Sequence, residues 1–109
     1  MHELAICQSV VDAVLARTGD ARVTVLRLDV GRLSGVVPEA LRFCFEVVAE
    51  GTPLAGAELR IEQPAGRGHC RGCGADVDLD DPILLCPCGS ADVDVTAGRE
   101  LLLRSVEVV

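Results

Sequence analysis

The chain has 109 residues, a length typical of one compact domain that carries at most a small insert. Its 17 acidic residues against 10 Lys and Arg give a formal net charge of -7, which repels a phosphate backbone and argues against nucleic acid as a partner. Apolar runs are far shorter than the roughly 20 residues of a membrane helix, and the start lacks a secretory pattern. These features predict a cytoplasmic protein with no membrane segment.

The first half of the chain predicts helix, strand, helix and strand. Apolar residues recur with the 3.6-residue period of a helix in two stretches, and they alternate with polar residues or join β-branched residues in two others. Gly19 and Gly51 follow the two helical stretches, and Pro38 suits a first helical turn. The predicted elements are a helix from near Met1 to Gly19, a strand over 22–30, a helix from Pro38 to Gly51 and a strand over 57–62.

Composition changes between Gly66 and Asp94, where Gly, Cys and Asp replace the aliphatic pattern. No apolar stripe there is long enough to form a core without help, so we interpret this segment as an insert held by a metal. Apolar residues return from Leu101 to Val109 as a last strand.

The expected fold class is therefore α+β. It comprises a small mixed sheet of about three strands with two helices, plus an inserted zinc-ribbon-like loop domain. The expected boundaries are 1–66 and 94–109 for a discontinuous α+β domain, and 67–93 for the insert.

Four of the six cysteines cluster in the insert: Cys70, Cys73, Cys86 and Cys88. Two residues separate the first pair, and the glycines around it let the chain curl so that both sulfurs reach one ion. Four thiolates favour Zn²⁺, and a closed four-ligand shell indicates a structural site. The alternative is a redox-active dithiol, although the Gly-flanked pair does not resemble a thioredoxin-like strand-to-helix turn. Cys7 and Cys44 lie alone in helical apolar patterns and are expected in the core.

The second cysteine pair has a single spacer, Pro87, where a zinc knuckle normally has two residues. Chelation by both sulfurs is then more strained. His69, next to Cys70, is the possible substitute for Cys88 as fourth ligand, and otherwise it is a simple exposed histidine.

The chain begins Met1-His2-Glu3, and a histidine at position two can form a metal chelate when the α-amine is free. The amine, the deprotonated amide nitrogen of His2 and the imidazole converge on a square-planar ion, a geometry suited to Ni²⁺ or Cu²⁺. The amide of Glu3 could supply a fourth nitrogen. From these residues alone, the alternative is an ordinary exposed histidine.

The chain resembles the HypA family of nickel metallochaperones of [NiFe]-hydrogenase maturation along its whole length. The resemblance is carried by Met1-His2-Glu3-Leu4, the stretch 37–43, Gly51-Thr52, the paired cysteines with Gly89-Ser90, and 98–108. It implies nickel ligation by His2 with Met1 and Glu3, and structural zinc on the four cysteines. The chain departs from the family at Cys86-Pro87-Cys88, where members usually show Cys-Pro-x-Cys, which affects the expected zinc geometry.

The resemblance implies a carrier rather than an enzyme. Ni(II) would be transient cargo passed to the hydrogenase large subunit precursor with a HypB-type GTPase, by a monomer or weak homodimer. No serine has an evident paired base, and no phosphate-binding loop of the P-loop type is present. The alternative function is a zinc-ribbon protein-interaction or nucleic-acid-binding module without nickel function, and a third is a thiol redox protein.

Overall fold

The computed structural model describes residues 2–109, and these form two helices and two three-stranded sheets. This confirms the expected α+β class with two helices. Met1 lies outside the described residues. The elements in chain order are α1 (Glu3–Thr18), β1 (Val23–Val30), α2 (Pro38–Ala49), β2 (Glu58–Glu62), β3 (Gly66–Cys70), β4 (Asp76–Leu79), β5 (Val93–Ala97) and β6 (Leu101–Val108). Within 2–109 no helix combines the length and the apolar character needed to cross a membrane.

The chain divides into two compact units. The first covers the chain up to Leu28, then Val36–Ile61 and Leu102–Val109. The second covers Asp29–Gly35 and Glu62–Leu101. The expected zinc-binding insert, 67–93, lies within the second unit.

The first unit packs its helices beside a sheet with the strand order β2-β1-β6. The helical periodicity explains its core, because the buried positions of each helix fall on one stripe. Gly19 ends α1 with a φ of 56°, and its N–H donates to the Leu15 carbonyl at 2.9 Å. The buried residues of the first unit include Cys7, Val11 and Val14 of α1, Leu26 and Leu28 of β1, and Leu41, Phe45 and Ala49 of α2.

The second unit contains a sheet that composition did not predict, with β3 between β4 and β5 and antiparallel to both. Alternate residues of β3 are buried, but two of these are Gly66 and Gly68, which carry no hydrophobic signal. A Cβ on Gly66 would lie 2.3 Å from the Leu79 carbonyl oxygen, and one on Gly68 would lie 2.6 Å from Val93 Cγ1. Close packing therefore requires glycine at the positions where a strand pattern would show apolar side chains.

The core of the second unit is small. Cys70, Leu79, Cys86 and Val93 are buried in it, and partly buried aliphatic side chains pack around them. Two of these four buried residues are cysteines of the cluster predicted to bind zinc. The packing of this unit and the geometry of the cysteine cluster therefore depend on the same side chains.

Candidate metal centres

The structure brings Cys70, Cys73, Cys86 and Cys88 together, with their four sulfurs within 4.8 Å of one another. Cys70 Sγ lies 3.7 Å from Cys88 Sγ, and Cys73 Sγ lies 3.7 Å from Cys86 Sγ. Four sulfurs placed tetrahedrally at about 2.3 Å from a zinc ion would be about 3.8 Å apart. The donor set and its spacing thus fit a tetrahedral ion such as Zn²⁺, and none of the four cysteines is in a disulfide.

Two tight turns present the sulfurs. In the first, the Gly74 N–H donates to the Cys70 carbonyl at 2.8 Å, and Gly74 has a φ of 79°, which favours glycine. In the second, the Gly89 N–H donates to the Cys86 carbonyl at 2.8 Å, one residue closer along the chain. The short Cys86-Pro87-Cys88 spacing is thus accommodated by a tighter turn, which still brings Cys88 to the cluster.

Without a metal ion, the four cysteines would bind protons unequally. The Cys73 N–H, which donates to Cys70 Sγ at 3.5 Å, lowers the pKa of Cys70 to about 6. The Cys88 N–H also lowers the pKa of Cys86, but burial and the three neighbouring thiols outweigh it and raise that pKa to about 12. Four thiolates in one pocket repel one another, so a divalent cation is needed to hold them all deprotonated.

The imidazole of His69 does not join this cluster. Its Nδ1 lies 2.9 Å from Asp76 Oδ1, on the exposed face of the second unit's sheet, where the two residues are direct cross-strand partners. Sequence reasoning missed Asp76 as the partner of His69, although an aspartate opposite a histidine on a paired strand is a recognisable signal once the strands are known.

The other predicted site begins at His2, which is exposed at the N-cap of α1. The Ile6 N–H donates to the His2 carbonyl at 3.1 Å, the first hydrogen bond of the helix. The N–H groups of a first helical turn have no partner within the helix. The amide nitrogens of His2 and Glu3 are therefore not used by the hydrogen bonds of α1, although the Glu3 N–H contacts the carboxylate of its own side chain.

The side chain of Glu3 has a different contact. Its Oε2 accepts a hydrogen bond of 3.2 Å from the N–H of Val37. Val37 is the N-cap residue of α2, where no side-chain capping hydrogen bond forms. This bond is the main reason that the pKa of Glu3 is lowered. The carboxylate thus links the start of α1 to the start of α2, a contact across 34 sequence positions that no local pattern could have revealed.

The remaining two cysteines lie in the first unit. Cys7 is buried, and its Sγ donates to the Leu41 carbonyl at 3.3 Å, while Cys44 is half-buried. Burial raises the pKa of Cys7 to about 11, so its thiol stays neutral at physiological pH. Cys7 therefore behaves as a core residue, as expected, whereas Cys44, which was also expected in the core, is only half-buried.

A cluster of four cysteines in one unit and an exposed histidine at the head of α1 in the other define a small metal-binding α+β protein. The sequence profile of the family described as "Hydrogenase/urease nickel incorporation, metallochaperone, hypA" matches residues 1–108. The chain therefore belongs to the HypA family, which confirms the resemblance noted from its motifs.

Relatives named Hydrogenase maturation factor HypA align along almost their whole length. The protein of Geotalea uraniireducens is 46% identical over 109 residues, which is 99% of both chains. The protein of Nostoc punctiforme is 41% identical over 108 residues, which is 99% of this chain and 96% of the relative. The solution structure of the Ni metallochaperone HypA from Helicobacter pylori matches 100% of this chain and 98% of its own, with a TM-score of 0.67 at 23% identity. That likeness shows a shared fold.

Proposed function

We propose that the chain is a nickel metallochaperone that binds Ni(II) at its N-terminus and delivers it during maturation of [NiFe]-hydrogenase. The observation that carries the proposal is the exposed His2 at the head of α1, beside backbone nitrogens that the helix does not use. Membership of a family described by nickel incorporation supports nickel as the cargo. A carrier must release its ion, and an exposed site at a helix start suits that need.

Nitrogen donors make up the proposed nickel site. The α-amine of Met1, the imidazole of His2 and the amide nitrogens of His2 and Glu3 form fused chelate rings around a square-planar ion, which Ni²⁺ accepts. The positive end of the helix dipole favours loss of the amide protons. Two deprotonated amides then balance the charge of the bound ion, so the complex does not place a net positive charge at the helix N-terminus.

We assign Glu3 a divided role in this site. Its backbone nitrogen is the proposed fourth donor, whereas its carboxylate is engaged by the Val37 N–H. The carboxylate thus positions the start of α1 rather than ligating nickel. The chelate is held against the start of α2, which limits the disorder that nickel would otherwise have to remove on binding.

The four cysteines would hold a structural Zn(II) in the second unit. Cys88 is the proposed fourth ligand, because its sulfur lies in the cluster while the His69 imidazole contacts Asp76. Zinc would supply charge balance for four thiolates, and the turns at Gly74 and Gly89 orient the sulfurs. Its role is to stabilise the fold of the unit and not to react.

The cellular setting follows from the proposed cargo. The chain would act in the cytoplasm without catalysing a reaction, receive or release nickel together with a HypB-type GTPase, and transfer it to the hydrogenase large subunit precursor. The family description names hydrogenase and urease together. The choice of hydrogenase as the enzyme that receives the nickel is therefore part of the proposal.

Nickel titration of the zinc-loaded chain tests the proposal. His2→Ala should abolish stoichiometric Ni²⁺ binding and leave zinc content unchanged, because it removes the imidazole without touching the second unit. His69→Ala is the matched control, since it removes the chain's other histidine, and it should retain nickel affinity. Acetylation of the α-amine should act like His2→Ala. Equal nickel affinity in wild type, His2→Ala and acetylated protein would overturn the assignment.

The divided role of Glu3 is tested in the same titration. Glu3→Gln keeps an oxygen that can accept from the Val37 N–H, so it should retain nickel affinity. Glu3→Ala removes that acceptor and should weaken nickel binding, and amide exchange at Val37 should accelerate in parallel. A loss in Glu3→Gln as large as in Glu3→Ala would instead make the carboxylate a ligand.

A further inference from the structure

β6 is an exposed edge strand. In the order β2-β1-β6 it pairs with β1 on one side, and no strand of the described residues pairs with it on the other. Leu101, Leu102, Leu103 and Val108 are 40–49% exposed, so apolar side chains line a strand with an open edge. Such edges can bind further strands. β6 contains no proline, and its charged residues are Arg104 and Glu107.

The outward-facing backbone groups can be identified from the contacts of β6 with β1. The Glu107 carbonyl accepts from the Thr24 hydroxyl at 3.2 Å, and the Val109 N–H donates to the Arg22 carbonyl at 3.0 Å. These two residues therefore face β1. Because backbone direction alternates along a strand, Val106 and Val108 direct their N–H and carbonyl groups to the open side.

A groove lies beside this edge, between α1 and β6, with a volume of about 400 Å³. It is lined by Ala13, Val14, Arg17 and Thr18 of α1 and by residues 103–106 of β6. A strand added to β6 would place every second side chain against α1, in this groove. The open edge supplies hydrogen bonds and the groove supplies selectivity, the combination that sheet-extending peptide sites use.

The charges of the groove indicate its occupant. Arg17 and Arg104 are its charged lining residues, in a chain with a net charge of -7. Arg17 forms no ion pair with any residue in 2–109. A carboxylate on the occupant would complement the guanidinium of Arg17.

A second copy of the chain fits this groove poorly. Glu107 contacts Arg27 across the sheet, so it lies on the opposite face from Arg104 by strand alternation. When two copies of β6 pair antiparallel about a twofold axis, equivalent side chains of the two copies lie on the same face of the joined sheet. A second β6 would therefore bring another Arg104, and not Glu107, to the face of the groove.

We propose that the β6 edge is a docking site for an extended segment of a partner protein, with apolar side chains and a carboxylate at alternating positions on one face. The segment adds to β6 as a fourth strand, seats its apolar side chains in the groove and directs the carboxylate to Arg17. This surface goes beyond the proposed nickel function, because it lies on α1 and β6 away from His2 in sequence and needs no metal.

The test uses the zinc-loaded full chain and two synthetic peptides, acetyl-Val-Thr-Val-Thr-Glu-amide and a control that ends in Lys-amide. The Glu peptide should shift the amide resonances of β6 and Ala13–Arg17 saturably, and should slow hydrogen exchange at Val106 and Val108. Exchange at Val109, already bonded to Arg22, should not change. An exposed ion pair should make the Glu peptide bind about 2- to 5-fold more tightly than the Lys peptide.

Charge reversal makes the test specific to the groove. Arg17→Glu should invert the preference, so that the Lys peptide binds more tightly, while nickel and zinc binding stay unchanged. Absence of saturable binding at millimolar peptide, equal binding of both peptides, or shifts confined to α2 or the second unit would each overturn the proposal. So would free protein that sediments as a dimer with Val106 and Val108 already protected, because a second copy would then occupy the edge.

Discussion

Leu79→Ala should weaken zinc binding strongly although Leu79 is not a ligand. Leu79 is 3% exposed and belongs to the small core that also contains Cys70 and Cys86. Such a core is expected to be too small to keep the second unit folded without metal, so folding and zinc binding become one reaction. Free energy lost from the packing then appears as lost zinc affinity.

The magnitude follows from the surroundings of Leu79. It lies opposite Gly66 in the strand register, and a Cβ on Gly68 would be 2.9 Å from its Cδ1. Glycines carry no side chains that can move into the space left by truncation, so the cavity relaxes little. Leu-to-Ala changes in such sites cost about 3 kcal/mol or more. At about 1.4 kcal/mol for each factor of ten, the apparent zinc dissociation constant should rise on the order of 100-fold.

Competition against a chromophoric zinc chelator measures this change directly. Leu54→Ala is the matched control, because Leu54 is 0% exposed but belongs to the first unit. It should lower the thermal stability of that unit and leave zinc affinity unchanged. If the zinc affinity of Leu79→Ala equalled that of Leu54→Ala within experimental error, the second unit would be folded without metal. The coupling between folding and zinc binding would then be refuted.

Two further predictions concern the cysteines. Zinc content per chain should fall sharply in Cys88→Ala and stay at wild-type level in His69→Ala; loss in His69→Ala with retention in Cys88→Ala would make the imidazole the fourth ligand. Burial raises the pKa of Cys7 from 9.0 to about 11, so above pH 9 the unfolded chain loses a proton that the folded chain keeps. The first unit should therefore lose stability between about pH 9 and 11 in thermal melts followed by its own resonances, and Cys7→Ala should remove that slope; an unchanged slope would place its origin elsewhere.

The elements of the first unit were predictable because their side chains report their environment. The apolar stripe of Cys7, Val11 and Val14 predicted α1, and Pro38 marked the start of α2, which begins there in the structure. The spacing of the cysteines also predicted that they cluster. The loop within each pair is short enough to keep its two sulfurs close in any conformation of the rest of the insert.

The sheet of the second unit was not predictable by the same means. β3 has the sequence Gly-Arg-Gly-His-Cys, and its buried face consists mostly of glycine. The strand therefore lacks the alternation of apolar and polar side chains by which a strand is recognised in a sequence. β4 alternates Asp76 and Asp78 with aliphatic residues, and its acidic face suggested only solvated charge. The structure instead pairs Asp78 with Arg67 at 2.6 Å across the strands. Such pairings depend on a register that only the folded sheet defines.

The connectivity of the first unit sets an order of events during synthesis. β1, the middle strand of its sheet, is made early, but β6, which covers one of its two sides, follows the entire second unit along the chain. A ribosome therefore releases all four cysteines before it releases the last strand of the first unit. Folding of the second unit can therefore precede the pairing of β6 with β1, and until β6 is made β1 can pair with β2 alone.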